Sequence, residues 1–161
     1  MLNASYDCGV GDAGLAEATG ITKLYVTDNV RVTHVHPFRE SLRTLYAEGD
    51  CGIDDAGLAE ATKIKVLHID RNQKVSTVRP FAATLRWLSA SKCSAITDAG
   101  IANATRLKVL MACRTNITTV KPFATLRELY GDLSKIADLH LTSATCVDWR
   151  AQETEPRQAA A

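Results

Sequence analysis

The side chains most able to do chemistry in this sequence are five cysteines, four histidines and scattered carboxylates. A thiolate metal or redox centre needs two cysteines in one short loop, and no pair shows C-x-x-C spacing. His34 and His36 stand two apart, which on an extended strand puts both imidazoles on one side and offers a chelate. The equivalent positions of later, similar segments are Thr77 and Arg79, then Thr119 and Lys121. The pair therefore reads as a solvated loop, and no metal or cofactor is expected. Cys113 precedes Arg114, a neighbour able to lower a thiol pKa, but no motif sets a histidine or carboxylate beside it and a nucleophile is not supported. Asp54 and Asp55 are adjacent in what reads as a capping loop. The chain has no G-x-x-x-x-G-K-[ST], H-E-x-x-H or G-x-S-x-G and no carboxylate pair at an informative spacing, so no enzyme is expected.

The length, 161 residues, suits one domain, and the hydrophobic (46%) and charged (23%) fractions are those of a globular chain. A net charge of +1 gives no footprint for phosphate backbones or anionic lipid, so nucleic acid is excluded as an expected partner. No apolar run reaches the ~18 residues of a membrane span, and the start, MLNASYDCGVGDAG, lacks the features of a signal peptide. A cytoplasmic location is expected. Sequons at Asn3, Asn103 and Asn116 would matter only if a secretory signal had been removed.

The elements that must position these residues come from an internal repeat. CGVGDAGLAEAT begins at Cys8, CGIDDAGLAEAT at Cys51 and CSAITDAGIANAT at Cys93, with Gly14, Gly57 and Gly100 spaced by 43 residues. VTHVHPFRESLRTL, VSTVRPFAATLRWL and ITTVKPFATLREL interleave with them, placing Pro37, Pro80 and Pro122 at intervals of 43 and 42. Between the blocks run segments apolar at positions 1, 4 and 6, starting at Ile21, Leu42, Ile64, Leu85, Leu107 and Leu126. The true period is thus half of 43.

This pattern resembles the leucine-rich repeat, L-x-x-L-x-L-x-x-N/C-x-L, over roughly residues 2 to 147. The D-A-G-L blocks, each with a cysteine ahead, are similar to the cysteine-containing class; the V-x-P-F blocks are similar to shorter repeats with a turn or 3₁₀ segment on the convex side. The resemblance implies an α/β fold: a right-handed solenoid of about six strands, whose parallel sheet lines the concave face, with one short convex helix per two turns. No turn buries its own apolar residues alone, so stability is a nearest-neighbour sum.

Within a strand, positions 4 and 6 share a face, so Leu24 and Val26, Leu67 and Ile69, and Leu110 and Ala112 are expected in the core. Asp12, Asp55 and Asp98 stand where helix N-caps are expected. A glycine two residues into a helix costs about 1 kcal/mol relative to alanine, and its presence in all three copies predicts close backbone packing between turns. Proline bars a continued helix at the preceding residue, and Phe38, Phe81 and Phe123 are placed to plug the core. Cys8, Cys51 and Cys93 read as a buried structural ladder.

The solenoid is expected over residues 1–150, opening inside a repeat without a cap, as a piece of a longer array or with an edge open to self-association. A final short strand is expected, with Val147 and Trp149 over the last layer, then a disordered tail over 151–161. The concave columns carry Tyr25, Tyr46, His68, Ser89, Met111 and Tyr130 at position 5 and Lys23, Thr44, Val66, Trp87, Val109 and Glu128 at position 3. Tyrosine and tryptophan dominate interface hot spots, although aromatics also simply suit strands. The expected function is a non-enzymatic protein-binding module whose contacts are Tyr25, Tyr46, His68, Trp87, Met111 and Tyr130. The alternatives are an ectodomain fragment of a protist surface antigen or adhesin, and a purely structural array. His36, Arg79 and Lys121, each before a proline, form a cationic row able to steer an acidic partner but equally at home on a wet face.

Overall fold

The computed structural model describes residues 1–148; Trp149 and the tail expected from 151 lie outside the described residues. Eight short strands pair in parallel and in sequence order to make one open sheet. They are β1 (Leu2–Asn3), β2 (Lys23–Tyr25), β3 (Thr44–Tyr46), β4 (Val66–His68), β5 (Trp87–Ser89), β6 (Val109–Ala112), β7 (Glu128–Gly131) and β8 (Thr145–Asp148). The register sets Leu24 beside Leu45, Leu67, Leu88, Leu110 and Leu129 in turn, a leucine column along the core side. Leu24, Val26, Leu67, Ile69 and Leu110 have no exposure and Ala112 is 5% exposed, as the strand period requires. Beyond the six patterned strands, the sheet gains the two-residue β1, which was not expected, and β8, the expected final short strand, which presents Cys146 where Leu129 stands in its neighbour.

On the convex side every second turn carries a four-residue helix: α1 (Asp12–Leu15), α2 (Asp55–Leu58) and α3 (Asp98–Ile101). The turns between carry 3₁₀ segments at His36–Phe38 and Arg79–Phe81, each with its proline in the first helical positions; the third such block, around Phe123, is a plain turn. The three phenylalanines are at most 3% exposed and fill the space beneath these turns, each contributing about 1.5–3 kcal/mol of burial.

The D-A-G-L helices are tied to the following turn, and α2 and α3 to the preceding one as well; here the structure corrects the expected caps. The N-cap residues are Gly11, Asp54 and Thr97, and only Asp54 caps with its side chain, accepting from the Gly57 N–H at 2.8 Å. Asp12, Asp55 and Asp98 instead reach forward. Asp12 accepts from the Thr33 N–H (2.9 Å) and hydroxyl (2.6 Å), Asp55 from the same two groups of Ser76, and Asp98 from those of Thr118. Burial alone would raise the Asp12 carboxyl, but the Thr33 hydroxyl and N–H and the nearby His34 outweigh it and hold the group below its ordinary value. Asp138 forms a similar clasp on the Thr119 hydroxyl and the N–H groups of Val120 and Lys121.

The glycine of the same helix faces backward. A Cβ on Gly57 would overlap the Thr33 carbonyl, with the Thr33 carbonyl carbon at 3.1 Å, and one on Gly100 would overlap that of Ser76. A Cβ on Gly14 would meet only Val10 Cγ1, at 3.5 Å.

Buried polar groups close the remaining backbone. Asn72, 1% exposed, donates to the carbonyls of Ala47 (3.0 Å) and Ile53 (3.2 Å) and accepts from the N–H groups of Lys74 and Val75. Asn29 repeats this scheme two turns earlier on Ala4 and Val10. Cys51 and Cys93 are fully buried; the Cys93 thiol donates to the Asn72 carbonyl at 2.6 Å, and burial pushes the Cys51 thiol up to about 11. Cys8 departs from the expected ladder: it is exposed. Val147 also departs, pairing with Tyr130 in the outward column rather than covering the last layer.

Candidate functional site

The parallel register carries position 5 of each strand into one column on the concave face, at the roughly 4.8 Å spacing of neighbouring strands. Tyr25 and Tyr46 stack with centroids 4.4 Å apart and planes within 12°. The Tyr46 ring lies in turn on His68 at 4.2 Å and 10°. Trp87 enters from position 3 of β5 and continues the run, tilted, 6.3 Å from His68. The Lys23 ammonium sits 5.0 Å from the Tyr25 centroid and 5.2 Å from that of Tyr46, within range of a cation–π contact with both. Four of the six expected contact residues thus form one ladder across four strands, each half-buried. The Trp87 indole N–H is buried without an acceptor.

Met111 and Tyr130 lie on the same face, beyond a break. Ser89 occupies the column between them and His68 and is only 1% exposed. The Tyr130 hydroxyl donates to Glu128 at 3.1 Å.

Beside the aromatic column runs the row two residues further on, Thr27, Glu48, Asp70, Ser91 and Cys113. Since Tyr46 is level with His68, Glu48 is level with Asp70. Ligand atoms of Glu48, His68 and Asp70 all lie within 4.8 Å of one another, and His68 Nδ1 is 3.8 Å from Glu48 Oε1. The Ser89 hydroxyl and the Ser91 N–H each donate to Asp70 at 2.6 Å. Burial raises the Glu48 carboxyl, with Asp70 adding to it, and burial lowers the His68 imidazole. This grouping was missed in the sequence because it links two turns at a 22-residue offset; the signal was a histidine followed two residues later by an aspartate in one strand exit.

The other expected sites divide. Cys113 does not have a lowered pKa: burial raises it, and the nearby Asp70 and Asp148 add to that. His34 and His36 sit on the convex side with ring centroids 6.4 Å apart and nearly perpendicular. They face separate carboxylates, His36 Nδ1 lying 2.9 Å from Glu60 and His34 Nε2 lying 3.8 Å from Asp12. They border an open cleft of about 360 Å³ against Gly57 and Glu60. His36, Arg79 and Lys121 are exposed in a row, as expected.

No helix among the described residues is long and apolar enough to cross a membrane. No protein-family model matches the sequence, and a search of curated proteins finds no match. Among solved structures, an internalin C2 from Listeria monocytogenes is similar, with a TM-score of 0.59 and 25% identity over 83% of this chain. The chain spans 65% of that protein's length. With its open eight-stranded parallel sheet, repeated leucine column and short convex helices, this chain has the architecture of a leucine-rich-repeat solenoid.

Proposed function

We propose that the chain is a non-enzymatic protein-binding module that takes its partner on the concave face, centred on Tyr25, Tyr46, His68 and Trp87 and extending to Met111 and Tyr130. The observation that carries this is the ladder itself. Stacked at 4.4 and 4.2 Å, the Tyr25, Tyr46 and His68 rings restrain one another, which lowers the side-chain entropy lost when a partner binds. Each of these residues keeps part of its surface exposed. Likeness to an internalin over most of the chain supports a binding module in general terms. We further propose a cytoplasmic location, in keeping with the free thiols of Cys51 and Cys93.

The test is capture of partners from a native lysate by the intact protein and by a Tyr25→Ala, Tyr46→Ala, Trp87→Ala triple variant shown by thermal unfolding to be folded. Loss of a partner from the folded variant supports concave binding. Retention of the same partners, or capture of none by the intact protein, refutes it.

A further inference from the structure

We propose that Glu48, His68 and Asp70 form a binding site for a divalent transition-metal ion of the Zn²⁺ type, open toward the concave groove. Their donor atoms converge within 4.8 Å, and among the described residues no other group of three does so. Strand register enforces this convergence. Level positions on β3 and β4 put the two carboxylates side by side at strand exits, while His68 supplies a nitrogen from the same strand that carries Asp70.

Two of the three ligands are already oriented. The His68 ring is pinned flat against Tyr46, with Nδ1 turned toward Glu48. Asp70 is held by the Ser89 hydroxyl and the Ser91 N–H, the outer-shell support that metal-binding carboxylates require. Ser89 explains itself this way: a small, 1% exposed serine interrupts an otherwise bulky column and spends its hydroxyl on Asp70. Glu48 is the longest and least restrained of the three, so it can close the last distance. One imidazole and two carboxylates form a borderline donor set suited to Zn²⁺, Co²⁺ or Mn²⁺ rather than to soft-metal binding. The three ligands leave the remaining positions to water or to a donor atom entering the groove.

The site needs no partner protein, so its test is independent of the concave-binding proposal. Zn²⁺ is titrated calorimetrically into reduced, chelator-stripped protein, and Co²⁺ is followed by its absorption. One equivalent is expected to bind, with no thiolate charge-transfer band from Co²⁺. His68→Phe, which keeps a ring on Tyr46, and Asp70→Asn, which keeps the shape, should each abolish that binding. Ser89→Ala should weaken it by roughly 10- to 100-fold, and His36→Ala should leave it unchanged. Thermal unfolding verifies the fold of each variant. The proposal is overturned by no saturable binding, by equal binding in a folded His68→Phe or Asp70→Asn variant, by loss in His36→Ala, or by a thiolate band.

Discussion

Replacing the repeat-equivalent glycines by alanine should give opposite signs at positions that look identical in sequence. Alanine in a helix is favoured over glycine by about 0.5–1 kcal/mol, so each substitution starts with a small gain. At Gly14 the new methyl meets only Val10 Cγ1 at 3.5 Å, an ordinary contact, and the gain survives in part. At Gly57 the methyl overlaps the Thr33 carbonyl and sits 3.2 Å from His34 Cα. The backbone there cannot rotate aside, because the Val35 N–H donates to the Gly57 carbonyl at 3.1 Å and ties the same two segments together. Overpacking of this kind costs about 1–3 kcal/mol. Gly100 repeats the geometry against Ser76, with the Val78 N–H donating to its carbonyl at 3.0 Å. At roughly 2–4 °C per kcal/mol for a chain of this size, Gly57→Ala and Gly100→Ala should each lower the Tm by several degrees. Gly14→Ala should leave it unchanged or raise it slightly. The assay is thermal and urea unfolding followed by circular dichroism. Equal effects at all three positions would refute backbone approach between turns as the reason for these glycines.

Asn72→Ala should destabilise the fold by about 2–4 kcal/mol, since it strands the buried Ile53 carbonyl and the N–H groups of Lys74 and Val75 and leaves the Ala47 carbonyl with only the Cys51 thiol; urea unfolding measures it. The clasps of Asp12 and Asp138 predict acid sensitivity. Burial opposes but hydrogen bonds prevail, so both carboxyls lie below their ordinary values when folded. Their contribution is therefore complete above the unfolded pKa and is lost as pH falls through the depressed folded values, and Asp138→Asn should flatten the acid limb of a Tm-versus-pH curve. In native protein at pH 8, Cys8 should react with a thiol reagent within the mixing time, while Cys51, pushed to about 11 and fully buried, reacts only as the chain opens; equal rates would contradict the buried ladder.

The core was legible because strand alternation and a 43-residue spacing leave little freedom: Leu24, Leu67 and Leu110 could only point one way. The aromatic ladder followed from that register. The role of Asp12, Asp55 and Asp98 was not legible, since a capping carboxylate and one clasping the next turn have the same residue type at the same place, and only the neighbouring turn decides. Nor was the left-handed backbone after strands β1 to β6, where Tyr6, Asp28, Arg71, Lys92 and Arg114 have φ between 53° and 65°. Arginine and lysine do not announce that conformation as glycine would, and only Gly49 in this row does. The Glu48, His68 and Asp70 group was hidden for a third reason: its members belong to different turns, and one residue's shift in register would separate them.

The forward-reaching aspartate and backward-facing glycine of each D-A-G-L helix give the array a grammar. Such a helix must be followed by a turn offering a hydroxyl and N–H, and must be preceded, where anything precedes it, by a turn offering a bare carbonyl. Turns of the V-x-P-F kind supply both; a second D-A-G-L turn would set an aspartate where the hydroxyl stands. Deleting or inserting one turn of 21 or 22 residues would therefore set like against like and leave carboxylates with nothing to hold, whereas a pair of turns could be added or removed without a seam. The unit of length change in this molecule is the couplet.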